Sequence, residues 1–262
     1  MKKLTIAMLL VSQVLLAESA IWNISYSGLN MDYREYDSNN QILDSEKTDS
    51  FGIGGIDTSL EMKLGQEGKS RTSVVMSYLM MKGETQYVGS YVGSHLGYGS
   101  VVATTQNTIY QPEMYLKQAL VDSISELYVG VGGGYRFWKR ELSATQIEDY
   151  EWYYWKANIG VLYDLRNNLS IGAEASYTQA FSPKMTSSSP ALEFTLHNVY
   201  SYGLSIPIVY KVNNRIGLRL ENRFEQINIA ESDHVISGGF EWWEPQSTTK
   251  NIYTKVGVDF HF

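Results

Sequence analysis

The sequence predicts an all-β protein, a closed antiparallel β-barrel that crosses a membrane with about ten strands. Apolar and polar residues alternate with a period of two along most of the chain, which places them on opposite faces of β-strands. The connections between these alternating stretches are short and long in turn. Beyond the N-terminus no apolar run is long enough for a membrane-spanning helix, which excludes a helical membrane protein.

The N-terminus has the pattern of an export signal. Lys2 and Lys3 form a positive region, and a mostly apolar stretch and small residues such as Ser19 follow. We therefore expect a signal peptide over residues 1–19 and a barrel domain over residues 20–262. An uncleaved anchor is the alternative, but the apolar stretch is shorter than the roughly 20 residues of a spanning helix. The sequence has no cysteine, so we expect neither a disulfide nor a lipid attached after the signal.

The first predicted strand contains a change of phase. Trp22 and Tyr26 begin its apolar face. The apolar positions then shift to Leu29 and Tyr33, and one extra residue near Gly28 predicts a β-bulge there.

The second to seventh predicted strands alternate more regularly. In each of them, apolar residues occupy every second position, and most opposite faces carry Gly, polar or charged residues together with some aromatic ones. Their apolar faces are Leu60, Met62 and Leu64; Val74, Met76, Tyr78 and Met80; Tyr110, Met114, Leu116 and Leu120; Leu127, Val129, Val131, Tyr135 and Phe137; Tyr153, Trp155, Ile159, Val161 and Tyr163; and Leu169, Ile171, Ala173, Ala175 and Tyr177.

The eighth predicted strand is unusually long. Its apolar face runs from Leu192 to Tyr210 and is interrupted only at Asn198. Such a strand exceeds the usual 3–10 residues of globular sheets, which favours a strand that continues beyond a membrane. The ninth and tenth strands complete the set. The ten predicted strands are 21–37, 48–64, 71–87, 106–120, 125–142, 149–164, 168–181, 191–211, 215–231 and 247–262.

Short turns and longer loops alternate between these strands, as in bacterial outer-membrane barrels, and both termini then lie on the periplasmic side. Eight or twelve strands are the alternatives. The short turns are 66–69, 121–123, 166–168 and 213–214, and the mostly longer connections lie around residue 39 and at 89–106, 143–148, 182–190 and 231–247.

Charged residues of both signs occupy the polar faces. A barrel turns these faces towards its lumen, whereas a soluble periplasmic sandwich would turn them to solvent. The signal, the strand lengths, the loop asymmetry and the last residue favour the barrel, and the sandwich remains the alternative. The predicted lumen charge network is Glu61, Glu113, Lys117, Arg136, Lys156, Glu174, Arg219, Glu221, Arg223, Glu225, Lys255 and Asp259.

The C-terminal segment 253–262 resembles the last strand of bacterial outer-membrane proteins. In that class a terminal Phe, with apolar residues at alternate positions before it, is read by the barrel-assembly machinery. Val256, Val258, Phe260 and Phe262 match this signal. The resemblance implies delivery to the outer membrane, with the assembly machinery, membrane lipid and lipopolysaccharide as partners. In size the chain is similar to omptin, OmpA-like and opacity-type barrels, without matching one family.

The sequence offers little catalytic chemistry. Omptin proteases use paired acids and an Asp–His arrangement, but this chain has no Asp-x-Asp, and Asp233 and His234 are better interpreted as solvated loop residues. The His-x-Ser pair of outer-membrane lipid hydrolases is absent, and His197 and Ser201 are about 13 Å apart along a strand. We predict no catalytic residue, no metal site and no cofactor.

The composition and the barrel size limit the range of functions that the sequence supports. A net charge of −7 without a basic run argues against nucleic acid as a partner. Barrels near eight strands have filled interiors, so we expect a closed or very narrow lumen. A non-enzymatic structural or surface-interaction role through the outer loops is the first hypothesis, a narrow solute channel the second, and an enzyme the third. The external partner is not specified by the sequence.

Aromatic clusters are expected at the membrane interface, with sugar or partner recognition as the alternative. They lie at Phe137 and Trp138, at residues 152–155, and at Trp242 and Trp243.

Overall fold

The computed structural model describes residues 17–49, 51–64, 71–90, 97–122, 125–166 and 168–262. The signal peptide expected over residues 1–19 lies outside the described residues except for its last three, which begin the first strand. No helix long and apolar enough to cross a membrane occurs in the described part of the chain.

The described chain is built of β-strands. Ten walls form the barrel, because β2 and β3 share one wall and β9 and β10 share another, while β12 and β13 form a hairpin in the last loop. The strands are β1 (Ala17–Tyr36), β2 (Ile42–Lys47), β3 (Ile53–Leu64), β4 (Thr72–Gly89), β5 (Val101–Asp122), β6 (Ser125–Glu141), β7 (Ile147–Arg166), β8 (Leu169–Ser188), β9 (Ala191–Thr195), β10 (Val199–Lys211), β11 (Ile216–Ile229), β12 (Val235–Ser237), β13 (Phe240–Trp242) and β14 (Gln246–His261).

The barrel is closed by pairing between the first and last strands. β1 runs antiparallel to β14 from Ile21 opposite His261 to Tyr36 opposite Gln246. β14 also pairs with β11, and every other wall pairs with its sequence neighbours. The prediction of an all-β, closed, antiparallel, ten-stranded barrel is therefore confirmed.

Large apolar side chains cover the outside of the barrel. Tyr26 and Val256 are 65% and 60% exposed, which a water-soluble protein would avoid over so wide a surface. The soluble sandwich, which needs these side chains at its centre, is therefore wrong. This lipid-facing belt comprises Trp22, Ile24, Tyr26, Ile56, Tyr78, Met80, Met114, Leu116, Val131, Tyr153, Trp155, Ile159, Val161, Tyr163, Ile171, Phe181, Tyr202, Leu204, Ile206, Tyr210, Ile216, Leu218, Leu220, Phe224, Ile252 and Val256.

The strands continue beyond the belt at the end that carries the long loops. There the outer positions become polar, with Asp32 on β1, Glu84 on β4 and Lys250 on β14. The inner positions at the same height are apolar instead. Above the lipid-facing belt, the outer face of the wall is therefore polar and the inner face is apolar.

The prediction of a β-bulge near Gly28 in β1 is wrong, and this reversal of the two faces explains the change of phase. The register of β1 is unbroken past Gly28 on both neighbouring strands. Leu29 and Tyr33 are fully buried and point into the barrel. The change of phase marks an apolar inner face above the belt, and no residue is inserted.

The same reversal of the two faces explains why the eighth predicted strand is not one continuous strand. The single long face divides into β9 and β10, with residues 196–198 between them. Phe194 and Leu196 are buried in the interior, whereas Tyr202 lies in the lipid-facing belt. The apolar run therefore spans two environments.

Three of the aromatic residues expected at the interface lie inside the barrel. Trp138, Trp152 and Tyr154 are 2%, 4% and 3% exposed and belong to the interior cluster. Tyr153 and Trp155 remain on the outer surface. Trp243 is exposed on the last loop.

Candidate functional site: the barrel interior

The interior has three layers, which begin at the short-turn end with a polar cavity of about 760 Å³. Most of the predicted lumen charges line it. Lys117 of β5 lies 3.1 Å from Glu61 of β3 and 2.6 Å from Glu126 of β6. Lys156 of β7 lies 3.1 Å from Glu113. The contacts of Lys117 with Glu61 and of Lys156 with Glu113 each cross over one intervening wall, whereas Glu126 lies on the strand next to Lys117.

A second group of ion pairs lies on β11 and β14. Arg219 contacts Asp259 at 3.0 Å. Lys255 contacts Asp57 at 2.6 Å and Glu221 at 3.4 Å. Asp57, like Glu126, is absent from the predicted network although its alternate position on β3 points inward.

Glu225 marks the upper limit of the polar cavity. Its carboxylate accepts from Arg223 at 2.7 Å, from Arg136 at 3.4 Å and from the Tyr253 hydroxyl at 3.1 Å. Glu174 has no cation partner in the described residues and accepts instead from Tyr128 and Asn158.

Every predicted network residue therefore faces the interior, and most of them pair with the opposite charge. Removing one partner of such a buried pair leaves an uncompensated charge, which is costly in a low-dielectric interior. The pairs line the polar cavity with matched charge, and the described residues form no lining of a single sign along it.

The middle layer is apolar. Leu29, Ile53, Met81 and Ile109 are at most 1% exposed and meet in the interior from four consecutive walls. Trp152 packs in the same cluster. We call these five residues the apolar layer, and it separates the polar cavity from the outer end of the barrel.

The third layer is the outer charge cluster, formed by Arg140, Glu35, Glu46, Glu148 and Glu244. Arg140 is 1% exposed and donates to Glu46 at 2.8 Å, to Glu148 at 2.8 Å and to Glu35 at 3.2 Å. The aromatic rings of Tyr33, Trp138 and Tyr150 surround its guanidinium.

Acid groups outnumber basic groups in this cluster. Glu244 accepts from the Tyr150 hydroxyl, and Glu148 accepts from Arg140. Burial raises the pKa of Glu148 to about 7 and holds the pKa of Glu244 well above its usual range. One guanidinium cannot neutralise all four carboxyl groups, so protons are retained here near neutral pH.

Sequence reasoning missed this cluster. Arg140 follows Arg136 and Trp138 at alternate positions of one strand face, and that signal was available. Glu46 lies on β2, where only a loop was expected, and its partner is 94 residues away.

The outer rim carries the histidines. His197 lies 2.7 Å from Asp233, and both are exposed. His234 contacts Glu241 at 3.0 Å and stacks on Trp243. Asp233 thus pairs with His197 and not with its sequence neighbour.

The arrangement offers no nucleophile to these histidines in the described residues. Ser201 lies in the interior and hydrogen-bonds Thr178 at 2.7 Å, away from exposed His197. No group of acidic and histidine residues suited to a metal ion occurs in the described ranges.

The C-terminal segment closes the barrel. Val256, Val258 and Phe260 lie on the outer face opposite β1, and the Phe260 ring is 5.9 Å from Trp22. The Phe262 amide donates to the Ala20 carbonyl at 2.9 Å. Recognition of this segment by an assembly machinery remains a prediction.

No protein-family model matches the sequence, and no curated protein does. Among solved structures, the outer membrane protease OmpT of Escherichia coli superposes with a TM-score of 0.64 at 11% identity, over 94% of this chain and 97% of that chain. The outer membrane protein OprG of Pseudomonas aeruginosa gives 0.46 at 8% identity, over 94% and 96%. The Ralstonia pickettii toluene transporter TbuX gives 0.38 at 10% identity, over 95% and 90%. The likeness to OmpT shows the outer-membrane β-barrel fold and says nothing about activity, and the other two scores are too low to carry an argument.

Proposed function

We propose that this protein is an outer-membrane barrel of a Gram-negative-type envelope, closed to solutes and without enzymatic activity. It serves envelope integrity or surface interaction through its outer loops and strand extensions. Outer-leaflet lipid, including lipopolysaccharide, surrounds its belt, and the barrel-assembly machinery inserts it.

The observation that carries this proposal is the filled interior. The apolar layer and the outer charge cluster are stacked across the lumen, and Trp138, Arg140, Tyr33 and Tyr150 are each at most 2% exposed. A solute would have to displace buried ion pairs and packed rings together, which opposes passage.

Conductance in planar bilayers tests closure. Folded wild-type protein, identified by its heat-modifiable migration, is expected to give no single-channel steps. A Trp138→Gly/Arg140→Gly/Trp152→Gly variant removes side chains from both the outer charge cluster and the apolar layer and provides the open comparison. A Tyr135→Ala/Tyr153→Ala variant removes a ring pair from the outside and should remain silent. Steps from the wild type would replace the proposal with the narrow channel.

The enzyme alternative is supported by the fold shared with a protease and by the contact between His197 and Asp233. Peptide or lipid A turnover that disappears in His197→Ala or His234→Ala would establish it. We expect no turnover by the wild type.

Membrane location has its own test. Density-gradient fractionation of cells should recover the protein with the outer membrane. Recovery as a freely soluble species would contradict the proposal.

A further inference from the structure

We propose that the last outer loop is a docking surface for a cationic amphipathic polypeptide. The loop binds it through exposed apolar side chains of the β12–β13 hairpin and through the carboxylates beside them. The inference rests on the proposed function, to which it adds the loop that makes the contact and the chemistry of the partner. We call this the hairpin surface, and it comprises Glu231, Asp233, Ile236, Phe240, Glu241 and Trp243.

The inner face of the hairpin fixes it over the barrel mouth. Val235 lies directly opposite Trp242, and both pack against the buried interior cluster. At the base of the loop the Ser232 amide donates to the Glu244 carbonyl at 3.0 Å, and the Glu244 amide donates to the Ser232 hydroxyl at 2.8 Å. The Glu244 side chain accepts from the buried Tyr150 hydroxyl. The loop is therefore held in place before a partner arrives, which lowers the entropy that binding costs.

The outer side and the tip of the hairpin leave large apolar side chains in water. Ile236 and Phe240 are 81% and 68% exposed, and Trp243 is 44% exposed. Because these residues lie beyond the polar outer positions Gln226 and Asn228 of β11, the lipid-facing belt does not reach them. Apolar side chains that are exposed together mark interaction sites, and aromatic residues contribute most strongly to such contacts.

The Trp243 ring is held rigidly on one of its faces. The imidazole of His234 stacks on it at a centroid distance of 5.0 Å, and Glu241 and Glu231 hold this imidazole at 3.0 and 3.4 Å. Since Trp243 stays partly exposed, its other face is open to a partner. An arginine or lysine side chain placed there gains a cation–π contact and lies near the Glu241 carboxylate.

The charge around the hairpin selects a cationic partner. Residues 226–249 contain four carboxyl groups and neither Lys nor Arg. The outer end as a whole has the same sign, since its described residues include 16 Asp and Glu but 7 Lys and Arg. These residues are 30–49, 51–53, 82–90, 97–108, 138–151, 182–199 and 226–250. This excess attracts a basic chain and opposes an anionic membrane surface.

The histidines of this region do not cancel its charge. His234 contacts Glu231 and Glu241, and His197 lies 2.7 Å from Asp233. The two imidazoles carry at most two positive charges against three exposed carboxylates. The acidic excess of the other loops adds to this difference, so the hairpin surface stays negative.

Fluorescence anisotropy of a labelled amphipathic leucine–lysine peptide tests the charge requirement. The protein is the folded full chain in nanodiscs of zwitterionic phospholipid, with empty nanodiscs as the blank. Glu231→Gln/Asp233→Asn/Glu241→Gln should weaken peptide binding at least about fivefold, and added salt should weaken binding to the wild type. The matched control Asp49→Asn/Glu84→Gln/Glu141→Gln removes three carboxylates elsewhere above the belt and should stay within about twofold.

The apolar requirement has its own variants. Ile236→Ser/Phe240→Ser should weaken binding of the leucine–lysine peptide at least about fivefold, because both side chains lose their contact area. Val102→Ser removes a side chain that is 61% exposed on β5 and should leave binding unchanged. A peptide with glutamine in place of each lysine should bind the wild type no better than it binds empty nanodiscs.

Equal affinity of the wild type and the Glu231→Gln/Asp233→Asn/Glu241→Gln variant for the leucine–lysine peptide would overturn the proposal. Capture of anionic phospholipid vesicles by the wild type, lost in Ile236→Ser/Phe240→Ser, would also overturn it in favour of a membrane contact. Conductance and fractionation do not involve the hairpin surface. A silent barrel that fractionates with the outer membrane but does not bind the peptide would therefore refute this inference alone.

Discussion

At the scale of single residues, the stability of the outer end depends on Arg140. Its guanidinium is the one described cation among the carboxyl groups of Glu35, Glu46 and Glu148, and it is nearly inaccessible to water. The alternation of β6 predicts that Arg140 points inward. Glu148 lies directly opposite Arg140 on the next strand. The sequence does not predict Glu35 and Glu46 as partners, because β1 and β2 come close to Arg140 only in the closed barrel.

Replacing Arg140 with Met should destabilise the barrel by about 3–5 kcal/mol, because Glu46 then remains buried without a counter-charge. Urea unfolding in detergent micelles, followed by tryptophan fluorescence, measures the loss. The matched control Arg34→Met breaks an exposed pair with Asp32 and should cost less than about 1 kcal/mol. Equal midpoints for both variants would contradict a structural role for Arg140.

At the scale of elements, alternation assigns the two faces of a strand but not the solvent each face meets. Within the lipid-facing belt, up to Phe224 on β11 and from Ile252 on β14, the two agree, so the inward charges and outward apolar residues there follow from the sequence alone. For β1 and for the wall of β9 and β10 they do not, since these walls pass from lipid to water and their apolar residues move to the inside. A single-sequence pattern has no marker for the height of the membrane surface.

The glycines of β6 allow a close approach that larger residues would prevent. A side chain at Gly132 would meet the backbone and Cβ of Tyr115 on β5, whereas one at Gly97 in the outer loop meets no atom within 4 Å. Gly132→Val should therefore lower the unfolding free energy by about 1–3 kcal/mol through overpacking. Gly97→Val is the control and should leave the urea midpoint of the folded barrel unchanged. An unchanged midpoint for Gly132→Val would show that the wall adapts to the added volume.

At the scale of the whole molecule, the two ends of the lumen differ in charge balance. Most charges of the polar cavity are paired, whereas the outer charge cluster holds four carboxyl groups around one guanidinium. Asp44 adds a further acid near it, and burial raises the pKa of this group to about 7. The sequence predicts that the lumen is polar, but it cannot predict this imbalance, which requires the loop-end walls to be brought together.

The imbalance predicts that the barrel loses stability as the pH rises. Glu148 and Asp44 have pKa values near 7 in the folded state, above their ordinary values of 4.5 and 3.8, so the folded state binds more protons than the unfolded state between these limits. The stabilisation is complete below about pH 4 and is lost as the pH passes through 7. Between pH 5 and 8 the unfolding free energy should fall by several kcal/mol, because each of the two groups loses about 1.4 kcal/mol per pH unit until the pH reaches its folded-state pKa.

Urea unfolding of the folded protein in detergent at several pH values measures this slope. Glu148→Gln/Glu244→Gln removes two of the titrating groups while it keeps their shape, so its unfolding free energy should change less over the same range. Because Glu46 and Glu35 still pair with Arg140 in this variant, its fold should persist. A wild-type stability that rises with pH, or an equal slope in the variant, would mean that the four acids share the guanidinium without retaining protons.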